Sequence, residues 1–166
     1  DAGGVKLGIA DAATLKDGIA TVLANVRRAR PDIVIDRVLV QSMAAGIGEV
    51  LVGFRRDADA GPIIMLASGG IMAELSEARS LRLAPVDEVE ALEMIGEIPA
   101  LKALSGYRGK PMGDIEALAK AVAALSRLAG EPDVFEAEIN PLIVRKAGDG
   151  VVAVDALMRV MEDNVD

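Results

Sequence analysis

Apolar residues recur at three- and four-residue spacings in three stretches of the chain, a pattern typical of amphipathic helices. The first predicted helix begins behind Asp11, which can cap it. The second begins behind Asp87, with Glu90 completing a capping-box pattern. The third begins behind Asp114 and ends at Gly130. The residues expected to face the core are Leu15, Ile19, Val22, Leu23 and Val26 in the first helix, Val89, Leu92 and Ile95 in the second, and Ile115, Leu118, Val122 and Leu125 in the third.

Shorter apolar runs, bounded by Gly, Pro and Asp, predict strands over residues 5–9, 36–43, 49–56 and 63–67. A further helix-like run begins at Ile71, and a short final helix is expected over residues 157–161. The chain therefore mixes strands with helices, and it has no internal repeat.

One segment, residues 134–140, alternates polar and apolar positions one for one. A strand would send these side chains to opposite faces, with Phe135, Ala137 and Ile139 toward a core and Glu136, Glu138 and Asn140 away from it. A second run, residues 151–155, follows a turn-forming loop, and a hairpin would bring Asp155 close to that polar row. Crowded carboxylates repel one another, and a divalent cation such as Mg²⁺ relieves the repulsion. On spacing alone, however, a solvent-facing acidic strand is the favoured interpretation.

Composition excludes several classes of function. A net charge of −8 argues against a nucleic-acid surface, and no apolar run approaches the length of a membrane span. The chain has neither a signal-peptide pattern nor Cys, which suits a cytoplasmic protein, and without His it offers no imidazole base and no phosphohistidine. A mean hydropathy of +0.36 predicts interfaces with neighbouring domains or with further copies of the chain. Since the first residue is Asp1, we expect a piece of a longer polypeptide.

Two glycine loops, Gly3-Gly4 and Ser68-Gly69-Gly70, could bring backbone N–H groups close to a phosphate. Most Gly-Gly pairs are simply turns, so this signal is weak on its own. The chain contains neither a Walker A pattern nor a G-x-G-x-x-G fingerprint. Any nucleotide would therefore bind through a different architecture.

The order and spacing of several loose motifs identify a family resemblance. The motifs lie at residues 1–7, 38–43, 48–53, 56–57 with 61–62, 69–71 with 74, 81–85, 107–111 and 138–142. With them the chain resembles the ATP-grasp portion of the NDP-forming acyl-CoA synthetases (acetate–CoA ligase, ADP-forming), which are relatives of the succinyl-CoA synthetase β subunit. The resemblance implies an α+β ATP-grasp fold, mainly its larger subdomain with a mostly antiparallel sheet flanked by helices. Residues 1–40 would be a remnant of the smaller lid subdomain, and residues 41–166 the larger subdomain.

The resemblance also assigns roles to particular positions. Glu138 and Asn140 match the Mg²⁺-binding pair of ATP-grasp enzymes, and Asp155 matches the acid that follows them. Residues 41–43, from Gln41 to Met43, match the hinge that meets adenine, with Glu49 on the next strand. Gly3 and Gly4 match the loop that closes over the phosphates, and Gly69 and Gly70 match a turn that faces the phosphoryl acceptor. Ala60 and Ala67 depart from the family, which usually has Phe and Gly there.

The implied activity is phosphoryl transfer between ATP or ADP and a phosphohistidine or acyl phosphate during acyl-CoA formation. The implied cofactors are Mg²⁺ and ATP/ADP. The implied partners are an N-terminal ATP-grasp part with its His-Lys pair and lysine, and CoA-binding domains that take CoA and a carboxylic acid. Because this chain lacks those parts, the isolated chain is expected to be inactive. The alternative is a regulatory nucleotide-binding module of a protein acetyltransferase.

Overall fold

The computed structural model describes residues 2–70, 78–106 and 111–161. Contacts between Cα atoms divide the chain into two compact units, Asp1–Met43 and Ala44–Asp166. The helix-like run predicted from Ile71, the motif residues 107–110 and the acidic tail 162–166 lie outside the described residues. Across the described ranges, no helix is both long enough and apolar enough to span a bilayer.

The first unit contains one helix, α1 (Ala12–Ala29), and its N-terminus is capped as the sequence predicts. The N–H of Thr14 donates to Asp11 Oδ1 at 2.8 Å, and the hydroxyl of Thr14 accepts from the N–H of Asp11 at 3.1 Å. In the predicted apolar stripe, Val26 is buried and the other four members are half-buried. The stripe is therefore confirmed as the least exposed face of α1.

The strands predicted over residues 5–9 and 36–43 are wrong, because neither segment forms a strand. Val5 and Leu39 are about four-fifths exposed, at 79% and 83%. A strand satisfies its backbone groups by pairing with a neighbouring strand, and no strand pairs with either segment in the described part of the first unit. An apolar run alone could not reveal that missing partner.

Within the residues that the structure describes, the second unit is built on a six-stranded antiparallel sheet. The strands are β1 (Gly48–Asp57), β2 (Gly61–Ser68), β3 (Arg79–Leu83), β4 (Val134–Val144), β5 (Val151–Ala153) and β6 (Ala156–Val160). Their order is β3-β2-β1-β4-β5, and β6 pairs with the first half of β4. The strands predicted over residues 49–56 and 63–67 are confirmed.

The final helix predicted over residues 157–161 is wrong, because most of this segment belongs to strand β6. Leu157 pairs with Glu138, and Met158 pairs with Ala137. Strand pairing with distant β4 satisfies the backbone groups of this segment and overrides its weak local preference.

Two helices, α2 (Glu88–Glu97) and α3 (Ile115–Ser126), cover one face of the sheet. The predicted capping box of α2 is present, since Glu90 N–H donates to Asp87 Oδ1 at 2.9 Å and Asp87 N–H donates to Glu90 Oε2 at 3.1 Å. The predicted core face of α2 is only partly right. Ile95 is buried, but Val89 and Leu92 are exposed at 65% and 43%, and their place is taken by Ala91 and Met94. The packed surface of the sheet selects this adjacent stripe, which has the same helical spacing.

The third helix confirms the predicted stripe, with Leu118 and Val122 fully buried and Ile115 and Leu125 packed against the core. Its end differs from the prediction. The α-helix stops at Ser126, and a 3₁₀ turn continues to Gly130. The Arg56 guanidinium lies beside this turn, where it donates to the carbonyl oxygens of Ala129 and Glu131 at 3.0 and 2.7 Å. These bonds satisfy carbonyl groups that a helix end leaves without partners.

The core lies between these helices and one face of β1, β2 and β4. In β1, Val50, Val52 and Phe54 are buried, whereas the residues between them are more exposed. The burial of β1 alternates along its length, so the sheet has one apolar face under the helices and a second face that we call the open face. The open face carries the outward side chains of β1 and β4, including Glu138.

Asp114 ties the start of α3 to the turn between β4 and β5. Its carboxylate accepts from the N–H groups of Ala117 at 3.0 Å, Gly148 at 3.0 Å and Gly150 at 2.9 Å. The bond from Ala117, followed by those from Gly150 and Gly148, holds the pKa of Asp114 below its ordinary value. One ionised side chain therefore serves as a helix cap and as a clamp on the hairpin.

We expect Asp114→Asn to lower the urea midpoint of unfolding at pH 7, because the amide nitrogen would face N–H donors. The stabilisation by Asp114 is present above its unfolded pKa of about 3.9 and is lost as pH falls through the lower folded pKa. The difference between variant and parent should therefore shrink below about pH 4. Glu116→Gln removes the same charge from the same helical turn and serves as the control. Equal losses in both variants would contradict the clamp.

Candidate functional site

The open face carries two acidic residues of β4 in different electrostatic surroundings. Glu136 lies opposite Arg55 of β1, and it accepts from Arg159 of β6 at 3.2 Å. Glu138, two residues further along, lies between Gly53 of β1 and Leu157 of β6. Glu136 is therefore flanked by cations, whereas the two cross-strand neighbours of Glu138 carry no charge. This contrast separates a structural carboxylate from one that can bind a ligand.

The strict alternation predicted for residues 134–140 is interrupted by a bulge. The register between β4 and β6 shifts between Val134 and Glu136. Val134 is buried, and Phe135 is only half-buried, with its ring 5.4 Å from the Arg159 guanidinium carbon. The expectation that Phe135 faces the core is therefore wrong, because a bulge carries a residue out of the pleat. Ala137 is buried and Ile139 packs against the core, as predicted.

Glu138, Asn140 and Asp155 gather where β5 gives way to β6. The N–H of Asn140 donates to the backbone oxygen of Asp155 at 3.0 Å, so these two residues lie side by side. The side-chain amide of Asn140 donates to Glu138 Oε1 at 3.2 Å. The structure thus brings the side chains of Glu138 and Asn140 into contact and places the backbone of Asp155 beside Asn140. Carboxylate and amide oxygens are ligands that Mg²⁺ accepts, so these residues fit that ion.

A groove of about 500 Å³ lies at the end of the sheet nearest Gly48. It is lined by residues 44–48, Glu49, Gly69, Gly70 and Ile143. Gly69 donates its N–H to the backbone oxygen of Glu49 at 2.7 Å, and a Cβ at Gly69 would lie 2.9 Å from the Glu49 carbonyl carbon. Gly70 has a φ of +61°, and a Cβ there would lie 2.8 Å from Glu49 Oε2. Both glycines therefore allow the loop to pass directly against Glu49.

Glu49 does not belong to the immediate surroundings of Glu138. It precedes Gly53, the partner of Glu138, by four residues along β1. At roughly 3.3 Å per residue, this separates Glu49 from the Glu138 row by about 13 Å along the strand. The second unit therefore carries two groups of candidate residues, one at Glu138 and one at the groove.

The remaining predicted residues belong to the first unit. Gly3 has a φ of +62° and its carbonyl oxygen accepts from the Asn25 side chain at 3.4 Å, which fits a turn. Gly4 is exposed, and so are Gln41 and Met43.

Among the glycines that were not predicted as site residues, Gly46 and Gly53 lie beside the candidate groups. Gly46 lines the groove, and a Cβ there would lie 2.3 Å from Ile143 Cγ2. Gly53 lies in the middle of β1 beside Glu138. Gly53 could have been identified from the sequence as a glycine inside an otherwise apolar strand pattern. Gly46 could not, because it resembles any loop glycine.

Residues 1–160 match the model of the family described as "ATP-grasp domain", and the chain belongs to this family. It is 39% identical over 159 residues to the β subunit of acetate–CoA ligase (ADP-forming) I from Pyrococcus furiosus, covering 95% of this chain and 68% of that subunit. It is 35% identical to 4-hydroxybutyrate–CoA ligase (ADP-forming) from Nitrosopumilus maritimus, covering 93% of this chain and 22% of that protein.

Solved structures agree with this assignment. The dinucleotide-forming acetyl-coenzyme A synthetase 1 of Ca. Korarchaeum cryptofilum, in complex with coenzyme A and Ca-AMPCP, superposes with a TM-score of 0.88 at 34% identity. The match covers 96% of this chain and 69% of that chain. The ATP-grasp fold and the family resemblance read from the sequence are thus confirmed.

We expect Gly69→Ala to destabilise the second unit by about 1–3 kcal/mol, because its Cβ meets backbone atoms of Glu49 that cannot turn aside. Urea unfolding of the variant measures the loss. Gly96→Ala is the matched control, since a Cβ at this position in α2 meets nothing within 4 Å. That control should gain roughly 0.5–1 kcal/mol from improved helix propensity. A neutral Gly69→Ala would show that the loop does not depend on its contact with Glu49.

Proposed function

We propose that this chain is the ATP-grasp portion of an ADP-forming acyl-CoA synthetase. In this role it transfers a phosphoryl group between ATP or ADP and a phosphohistidine or acyl phosphate while acyl-CoA is made. The observation that supports the proposal is the contact of Glu138 with Asn140, whose N–H donates to the backbone oxygen of Asp155, in a chain that is 39% identical to an ADP-forming acetate–CoA ligase subunit.

Glu138, Asn140 and Asp155 are the residues that would hold Mg²⁺. The uncharged cross-strand neighbours of Glu138 support this role, because a carboxylate without a protein cation beside it is available to a metal. A related Korarchaeum structure, 31% identical with a TM-score of 0.80, contains coenzyme A and Mg-AMPPCP. When bound, the metal would neutralise charge on the transferring phosphoryl group. Glu138 and Asn140 would orient that group through their fixed places on β4.

The nucleotide would use further residues of the chain. In this proposal the backbone of residues 41–43, from Gln41 to Met43, meets adenine, and Gly3 and Gly4 approach the phosphates. Gly69 and Gly70 would face the phosphoryl acceptor, and Glu49, which lines the same groove, would contribute to nucleotide binding. The close packing of both glycines on Glu49 supports a shaped loop instead of an incidental turn. Residues 1–40 would belong to the lid subdomain, and residues 41–166 to the larger subdomain.

Other domains or subunits would supply the rest of the reaction. The chain spans about two thirds of the P. furiosus β subunit and about a fifth of the longer single-chain relatives. CoA and the carboxylic acid would bind to such additional parts, which would also carry the histidine that this chain lacks. The relatives described above are ligases and a synthetase, and they do not support the acetyltransferase alternative.

In the complete protein, we expect Glu138→Gln and Asn140→Ala each to weaken Mg·ADP binding at least about tenfold, a loss of about 1.4 kcal/mol. Isothermal titration calorimetry measures the affinity. Glu136→Gln lies on the same strand and face and removes the same charge, but its carboxylate contacts Arg159. This control should bind Mg·ADP like the parent. Unchanged binding in the Glu138 and Asn140 variants would show that these residues do not hold the metal and that the acidic strand is only a solvated surface.

The isolated chain should form no acyl-CoA from ATP, CoA and a carboxylic acid, because the acceptor histidine is not part of it. A coupled assay of CoA consumption measures this activity, with the complete protein as the positive control. Full turnover by the isolated chain would contradict the proposal that other domains or subunits supply the histidine and bind CoA and the carboxylic acid.

A further inference from the structure

Gly53 occupies the middle of β1, where glycine is a poor choice for the strand itself. A glycine inside a strand loses more conformational entropy than other residues and contributes no side-chain packing. Its backbone does not lie in the left-handed region that favours glycine. The conformation of β1 therefore gives no reason for glycine at this position.

Packing inside the sheet gives no reason either. A Cβ at Gly53 would meet Met65 Cε at 3.6 Å and Leu51 Cδ2 at 3.8 Å, which are ordinary van der Waals distances. This separates Gly53 from Gly46 and Gly69, where a Cβ would collide with neighbouring atoms at 2.3 and 2.9 Å. A small side chain would thus fit at Gly53 without displacing the protein.

The missing side chain would stand on the open face. Val52 and Phe54, on either side of Gly53, are buried under the helices, so position 53 points the other way. Gly53 pairs with Glu138 of β4 on one side and with Met65 of β2 on the other. Gly53 therefore presents backbone without a side chain directly beside Glu138, with Met65 Cε and Leu51 Cδ2 at its margin.

We propose that position 53 is kept free of a side chain so that the Mg-bound nucleotide can lie against the backbone of β1 next to Glu138. This inference rests on the proposed function, because it needs the ligand that Glu138 would hold. Gly53 is then a positioning residue that acts through the space it leaves. A β-branched side chain would fill that space while suiting the strand better than glycine.

The test is a size series at position 53 in the complete protein. Gly53→Ala and Gly53→Val should leave the urea midpoint unchanged or raise it. Mg·ADP affinity by calorimetry should fall with side-chain size, by at least about tenfold for valine. In steady-state assays the KM for ADP should rise. Leu83→Val, on the same face of edge strand β3, is the control and should bind Mg·ADP like the parent.

The outcomes separate this inference from the proposed function. If the parent binds Mg·ADP, Glu138→Gln weakens binding and Gly53→Val does not, the inference is overturned and the proposed function stands. If affinity and stability fall together in both Gly53 variants, glycine serves the fold, and the inference is overturned as well. If the parent itself does not bind Mg·ADP, the proposed function fails first. Falling affinity at constant or higher stability supports the inference.

Discussion

The period-two alternation of the antiparallel sheet is the constraint on which the rest of this structure depends. Helices α2 and α3 cover one face, so alternate residues of β1 and of the middle of β4 must be apolar to fill the core. The residues between them are forced onto the open face, where Gly53 and Glu138 lie opposite each other. A slip of β4 by one residue would bury Glu138 and expose Ala137. The burial that stabilises the fold therefore also presents the candidate site.

Charged side chains hold β4, the strand that carries the candidate metal residues, at both ends. At its start, Arg56 Nε donates to the backbone oxygen of Val134 at 3.0 Å, and the same guanidinium binds carbonyl groups of the preceding turn. Beyond its end, Asp114 accepts from two N–H groups of the turn that leads into β5. These contacts to backbone atoms resist sliding of β4. They keep Asn140 beside Asp155, and pre-organisation of this kind is what a phosphoryl-transfer site requires.

Charge on the open face is distributed unevenly, and this distribution gives its carboxylates different roles. Glu136 is flanked by Arg55 and Arg159, so its charge is balanced within the protein. Glu138 sits between a glycine and a leucine, and it contacts the Asn140 amide. A cation-binding site needs carboxylates that the protein has not already neutralised. Two residues with the same chemistry, two positions apart, therefore differ through their neighbours on other strands.

The sequence by itself determined features whose physical causes act within a few residues. Asp11, Asp87 and Asp114 are helix caps because a short carboxylate can reach the N–H groups of the next turn. The outward placement of Glu138 and Asn140 follows from the local alternation of β4. The order and spacing of the family motifs also predicted the fold and the candidate residues of the site.

Only the tertiary structure decided features that depend on distant partners. Residues 157–161 contribute to strand β6 because β4 lies alongside, and residues 5–9 and 36–43 form no strand because no strand pairs with them in the described part of the first unit. The buried face of α2 contains Ala91 and Met94, not the predicted Val89 and Leu92, because packing against the sheet decides between stripes of equal helical spacing. The contrast between Glu136 and Glu138, and the position of Gly53 beside Glu138, likewise come from cross-strand neighbours. Local backbone preferences depend on adjacent residues, whereas strand pairing and packing depend on residues far apart in the chain.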